Sequence, residues 1–250
     1  MESQKWMTNL VIVRHAESQR NVAKGEAEAT GVETYGGRTR DVDIQLTDQG
    51  HQRADQTGRK LREHLGFDFD RVFTSPYRRT VQTTDYLLAK FERPTEVVLE
   101  ERIREKEFGV LDGLTKAGIE RRYPGEKERK ERNGKYYYRP PGGESYPDVN
   151  LRVHDFLGTM VRECRMENVL VVCHSVIVLS FRHLLERLAE KDVLDVDMDK
   201  EREPKNCSIT WYTFDASHGA RGKLRLKEYN VVLYDSNLSS DEPSRTSALP

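Results

Sequence analysis

Apolar side chains are arranged along this chain in two patterns. The first is the short β-rich run: residues 10–13, 71–74, 96–99, 169–173, 208–214 and 224–229 read as strands. The near-unbroken apolar character of the early ones is that of parallel strands covered on both faces. The second is the helical stripe. Over residues 145–165, Val149, Val153, Phe156, Leu157, Met160, Val161 and Cys164 recur at i, i+4, i+7, i+8, i+11, i+12 and i+15, a face that a core alone explains. Ser145 with Asp148 three residues on resembles a capping box at its start. Further helices are expected over 47–65, 80–89 and 177–189. Short strands alternating with amphipathic segments predict an α/β fold: a mostly parallel central sheet flanked by helices on both faces, with ligands at the carboxyl ends of the strands.

Two polar stretches break this rhythm. Residues 24–43, rich in Gly and Thr, and residues 120–144, a charge run leading into Tyr136-Tyr137-Tyr138-Arg139-Pro140-Pro141, are expected as insertions in one domain covering 1–235. Their length suits lids or binding segments; a solvated helix face is an equal reading of 120–132. Residues 236–250 have little to bury and are expected to be disordered.

Composition narrows the partners. With 36% hydrophobic residues among 250, the chain can bury one sizeable core, and 41 Lys+Arg against 42 Asp+Glu leave no global field to select nucleic acid or an anionic membrane. The apolar runs fall short of the ~20 residues that span a bilayer. The first ten residues lack the charged start and long apolar core of a secretory leader. A soluble, cytoplasmic protein is expected. Cys164, Cys173 and Cys207, odd in number and without a paired metal-ligand spacing, read as reduced core residues, so neither a metal nor a cofactor is expected.

Chemistry-bearing residues gather at the ends of the predicted strands. The run 10–13 ends abruptly in Arg14-His15-Ala16-Glu17-Ser18, and the run 169–173 in His174-Ser175. Either histidine alone is more simply a hydrogen-bonded structural residue, but two strand-terminal imidazoles, one beside a guanidinium, favour a site. A third strand leads through Ser75-Pro76-Tyr77 into Arg78-Arg79 at a helix start, where cations oppose the helix dipole unless an anion shares the place. Glu105, within Arg104-Glu105-Lys106-Glu107-Phe108-Gly109, is a proton donor if its surroundings raise its pKa.

Together, Arg14-His15-Ala16-Glu17-Ser18 with Asn21, Ser75 to Thr83, Arg104-Glu105 with Phe108-Gly109, and Cys173-His174 resemble the histidine phosphatase (phosphoglycerate-mutase-like) superfamily over roughly residues 8–190. The resemblance implies that His15 is a nucleophile forming a phosphohistidine, that Arg14, Arg79 and His174 surround the phosphoryl oxygens, and that Glu105 is the proton donor, with Glu107 as runner-up. Asn21 and Ser18 are implied as lesser contacts. Ala16 and Ser175 depart from the Gly common after each histidine, and Lys106-Glu107-Phe108 lacks the Arg and Tyr that mutases place after the acid. The stretch 135–146 looks like the fructose-2,6-bisphosphatase branch, which makes Tyr137, Tyr138 and Arg139 candidates for the organic part of a substrate. Gly142 and Leu179 stand where that branch would carry cations for a second phosphate, which argues against a bisphosphate. The expected function is metal-independent hydrolysis of a small phosphorylated metabolite. Mutase-type transfer and noncatalytic phosphate binding are the alternatives, and a homodimer is left open.

Overall fold

The computed structural model describes residues 4–35, 37, 39–91, 95–218 and 222–235. Six strands, β1 (Asn9–Arg14), β2 (Arg71–Thr74), β3 (Val97–Leu99), β4 (Asn168–Cys173), β5 (Ile209–Asp215) and β6 (Lys223–Val231), form one sheet in the order β3-β2-β4-β1-β5-β6. The first four strands of that order run parallel, whereas β5 is antiparallel to β1 and β6 antiparallel to β5. Period-2 alternation divides the core. Leu10 and Ile12 of β1 face Phe156, Leu157 and Phe181, while Val11 and Val13 face Leu61, Leu65 and Leu87. Helices α2 (Asp48–Leu65) and α3 (Arg78–Leu88) thus cover one face, and α6 (Tyr146–Glu163) and α7 (Ser175–Glu186) the other.

The expected stripe over 145–165 becomes α6, and its capping box is present. The Ser145 hydroxyl accepts from the Asp148 N–H at 3.3 Å, and Asp148 Oδ2 accepts from the Ser145 N–H at 2.8 Å. Thr47 caps α2 by accepting from the Gly50 N–H at 2.9 Å. A Cβ on Gly50 would stand 2.0 Å from the Glu17 carbonyl oxygen, so only glycine lets α2 press this closely on the segment that follows β1. Cys164, Cys173 and Cys207 are buried and free. Among the described residues no helix is long and apolar enough to cross a membrane.

The polar stretches correct the expectation. The stretch 24–43 is not wholly irregular, because α1 (Gln19–Thr30) runs into it, fixed by a Ser18/Asn21 capping box and by Gly31 in the left-handed region, with Ala27 its one buried residue. The stretch 120–144 is mostly helical, in α4 (Lys116–Arg122) and α5 (Pro124–Tyr137), the latter interrupted by Gly134 at φ 72°. A short α8 (Glu190–Asp197) follows α7. Strand β3 is an edge strand with Val97 and Leu99 exposed, unlike the doubly covered strands beside it. The expected disorder of 236–250 falls outside the described residues.

Candidate active site

Register brings the two strand-terminal histidines together. Arg14 pairs with Cys173 across β1 and β4, so His15 and His174 stand abreast one residue beyond, with ring centroids 5.2 Å apart. His15 lines a cavity of about 630 Å³ at the carboxyl ends of β1, β2 and β4, as do Arg14, Arg79 and Glu105, while His174 is buried beside it and the next residues, Ser175 and Val176, reach the lining. A cavity at that end of a largely parallel sheet is where helix N-termini and loops converge.

His15 is held from both ends. Its backbone N–H donates to the Cys173 carbonyl at 2.9 Å, and its Nδ1 lies 2.7 Å from the Ala16 carbonyl oxygen. A carbonyl only accepts, so Nδ1 carries the proton and Nε2 keeps a lone pair. Burial, followed by the Arg79 and Arg14 charges, holds this imidazole well below its ordinary pKa, and it is neutral. The Ala16 N–H donates to Thr83 Oγ1 at 3.0 Å while that hydroxyl donates to the Arg79 carbonyl at 2.7 Å, which ties the segment of His15 to α3.

His174 is fully buried and N-caps α7. The Ser75 hydroxyl accepts from the Tyr77 N–H at 3.4 Å, and its oxygen lies 2.8 Å from His174 Nε2. The Nδ1 of His174 has no hydrogen-bond partner and lies 3.9 Å from Glu105 Oε2. Burial and then Arg79 depress its pKa as well. Two further buried nitrogens, Arg14 Nε and Arg79 Nε, also lack partners among the described residues.

Arg79, the second residue of α3, is held by Tyr77 and Asp41. Its guanidinium lies 4.8 Å from the Tyr77 ring centroid, and its two terminal nitrogens bond Asp41 Oδ1 and Oδ2 at 2.9 and 3.2 Å. Asp41 also meets Arg20 at 3.1 Å, and Arg20 reaches Asp112. Arg14 donates from Nη1 to the Pro204 carbonyl. Glu105 accepts the Lys106 N–H at 2.8 Å, yet burial pushes its carboxyl above the ordinary range. Glu107 is also raised, by burial and then by Asp112, but does not line the cavity, so geometry favours Glu105. Among the described residues no group of three or more His, Cys, Asp or Glu side chains could hold a metal ion.

The remaining expected contacts divide. Ser18 and Asn21 line the cavity, but Asn21 Oδ1 is engaged by the Ser18 N–H at 3.0 Å and by Asn206 Nδ2 at 3.3 Å. Only the Asn21 amide nitrogen is left to face an anion. Tyr138 lines the cavity with its hydroxyl donating to Glu126 Oε2 at 2.5 Å. Arg139 must be corrected: it lies outside the cavity lining, paired with Asp148 at the start of α6. The sequence reading missed Asp41, which lies in the Gly-rich stretch, and overlooked that Ser75 orients His174. A carboxylate 38 residues from the arginine it holds leaves no local signal.

Known proteins resemble this chain in sequence and in fold. The sequence model of the histidine phosphatase superfamily (branch 1) matches residues 10–226. The chain is 32% identical over 194 residues to a 2,3-bisphosphoglycerate-dependent phosphoglycerate mutase of Rhizobium etli, covering 76% of this chain and 86% of that one. It is 34% identical over 164 residues to a fructose-2,6-bisphosphatase of Saccharomyces cerevisiae, covering 66% of this chain and 31% of that one. The fold matches that of a mycobacterial glucosyl-3-phosphoglycerate phosphatase bound to inorganic phosphate (TM-score 0.67, 20% identity, 90% and 98% of the two chains). It also matches a putative alpha-ribazole-5'-P phosphatase of Escherichia coli (TM-score 0.69, 18% identity, 92% and 100%).

Proposed function

The chain belongs to the histidine phosphatase superfamily, and from that premise we propose that it hydrolyses a small phosphomonoester, without a metal, through a phosphohistidine on His15. The observation that carries the reading is the ring of three buried nitrogens without partners, on Arg14, Arg79 and His174, around a neutral imidazole with a free Nε2. Buried donors left unpaired by the protein are costly, and a phosphoryl group supplies the missing acceptors.

In the first step His15 Nε2 attacks phosphorus in line. The N–P bond forms, the ester P–O bond breaks, and protonated Glu105 gives its proton to the leaving oxygen. The guanidiniums of Arg14 and Arg79 and the His174 Nδ1–H hold the three equatorial oxygens as charge spreads over them. In the second step the Glu105 carboxylate takes a proton from water, the new O–P bond forms, and the N–P bond breaks to release inorganic phosphate. Glu105 ends protonated and His15 neutral, ready for another turnover. Burial favours both starting states, by lowering the imidazole and raising the carboxyl. Phe108 offers no hydroxyl and Glu107 adds a negative charge just after Glu105, which favours hydrolysis over retention and return of the phosphoryl group. Three free buried thiols fit a reducing compartment such as the cytoplasm.

The test is phosphate release from a panel of phosphomonoesters in excess chelator, with isolation of an acid-labile phosphoenzyme. Release that disappears in His15→Ala supports the reading. Interconversion of phosphoglycerates faster than phosphate release identifies a mutase, and retention of phosphate without turnover a binding protein.

A further inference from the structure

Of the side chains given a role in the proposed reaction, Glu105 is not placed by a strand of the sheet or by a helix packed on it. Arg14 ends β1, His15 and His174 follow β1 and β4 directly, and Arg79 lies in the first turn of α3. Residues 104–108 are neither helix nor strand, and join two single-turn 3₁₀ helices, Glu101–Ile103 and Gly109–Leu111. A proton donor must stand within hydrogen-bond reach of the oxygen it protonates. Something other than the sheet has to hold this segment.

Arg152 of α6 and Glu144, just before that helix, do so. Arg152 Nη2 donates to the Glu105 carbonyl at 3.2 Å and Nη1 to the Arg102 carbonyl at 2.7 Å, while Nε and Nη2 bond Glu144 Oε1 and Oε2 at 2.9 and 3.0 Å. Glu144 Oε2 also accepts the Glu107 N–H at 2.9 Å, and the Glu144 N–H donates to the Glu107 carbonyl at 2.9 Å. The two side chains are only 11% and 14% exposed. Burial by itself raises the Glu144 carboxyl, but the bonds from Arg152 and the Glu107 N–H hold it below its ordinary range, so it stays ionised. A Cβ on Gly109 would stand 2.1 Å from the Pro141 carbonyl oxygen, and one on Gly143 2.7 Å from that of Glu107, so the two stretches lie directly against each other. One peptide group joins this clamp to the carboxyl. The peptide between Glu105 and Lys106 gives its carbonyl to Arg152 and its N–H to Glu105 Oε1, the latter at 2.8 Å. Tilting that peptide swings the carboxyl with it, and a displacement of about 1 Å at a reacting group can cost about 10²-fold.

On the reading of Glu105 as proton donor, we infer that Arg152 and Glu144 are positioning residues, which fix the peptide that aims the Glu105 carboxyl at the leaving oxygen. Neither lines the cavity, so they act through Glu105 and not on the substrate. The planar guanidinium makes four bonds at once, to two carbonyls and a carboxylate, a fork that an ammonium cannot reproduce. An ion pair that served the fold alone would, when broken, slow every substrate alike.

The experiment compares benzyl phosphate, whose alkoxide needs a proton to leave, with p-nitrophenyl phosphate, whose phenolate does not, in wild type, Glu105→Gln, Arg152→Gln and the double variant. Arg152→Gln is expected to lower kcat on benzyl phosphate about tenfold or more with KM within about twofold, and kcat on p-nitrophenyl phosphate by less than about threefold. In the Glu105→Gln background the same substitution should cost less than about twofold on benzyl phosphate, because no donor is left to aim. Equal losses on the two esters, or losses that multiply in the double variant, overturn the positioning role. If Arg152→Gln does not fold, Arg152→Lys, which keeps a charge opposite Glu144 without the fork, decides by the same two criteria. Glu105→Gln separates this inference from the reading it rests on. If it is selective for benzyl phosphate and Arg152→Gln is not, positioning fails and the donor stands. If it leaves both esters unchanged, the donor reading fails and positioning falls with it.

Discussion

The floor of the cavity and its far wall are built by different means. His15 lines the floor with His174 and Ser75 buried beside it, all three at the ends of β1, β4 and β2, oriented by named hydrogen bonds in a sheet whose side chains pack on both faces. The wall is carried by α1 and α5, which bury one residue each, Ala27 and Tyr136. A group on the floor cannot move without disturbing the sheet, whereas Lys24 and Lys130, which also line the cavity, ride on α1 and α5 with little to anchor them. Chemistry that needs sub-ångström placement belongs on the first, and recognition of a varied organic portion on the second.

The sharpest break of this comparison is at the floor. On the phosphohistidine reading, His15→Ala removes the nucleophile and is expected to lower phosphate release by about 10⁴-fold or more, with no phosphoenzyme trapped. Because the wall is untouched, binding of a phosphorylated ligand should persist, as titration calorimetry would detect. Loss of both binding and turnover would mean that floor and wall do not act separately.

Glu105→Gln should cost about 10²–10³-fold on alkyl esters and under tenfold on aryl phosphates, whose leaving oxygen needs less protonation. The pH profile gives the sign. His15 must be neutral and its pKa is depressed, so activity is retained on the acid side of the ordinary imidazole value. Glu105 must be protonated and its pKa is raised, so activity falls as pH climbs through that raised value. In Glu105→Gln the alkaline fall should vanish for alkyl esters. Its survival would move the acid role elsewhere, with Glu107 first in line.

Asp41 links the two regions, since it lies in the stretch before α2 yet holds Arg79 through both carboxylate oxygens. If it positions the guanidinium, Asp41→Asn lowers kcat about tenfold with little change in KM. A lower KM with unchanged kcat would instead show that the carboxylate competes with the substrate phosphate.

This division also decides what was legible in the sequence. The floor is written in continuous runs: residues 10–13 and 169–173 are apolar because both faces of β1 and β4 are covered, and their abrupt ends mark His15 and His174. The stripe of α6 was legible because Val149, Val153, Phe156, Leu157 and Met160, at helical spacing, are all buried. Helix α1 was not, because it is fixed by the Ser18 and Gly31 caps with scarcely any apolar face. The lysine wall has no sequence signature at all. Positions 24, 106, 116 and 130 meet only through the placement of three helices and one loop, and a single lysine in a charged run looks like solvated surface. Arg139 was misplaced for the converse reason. Its neighbours resemble a substrate-contacting stretch, but Asp148, nine residues on, turns the side chain away.

Arg139 therefore supplies the smallest expected effect and marks the boundary of the wall. Its guanidinium is exposed and paired with a carboxylate that also accepts the Ser145 N–H in the α6 cap. Exposed ion pairs contribute little, and Asp148 keeps its capping bonds when the arginine is removed. Arg139→Ala is expected to leave kcat/KM within about twofold for every substrate in the panel and the melting temperature within about 2 °C. A tenfold rise in KM confined to one class of substrate would mean that the ligand itself draws Arg139 off Asp148.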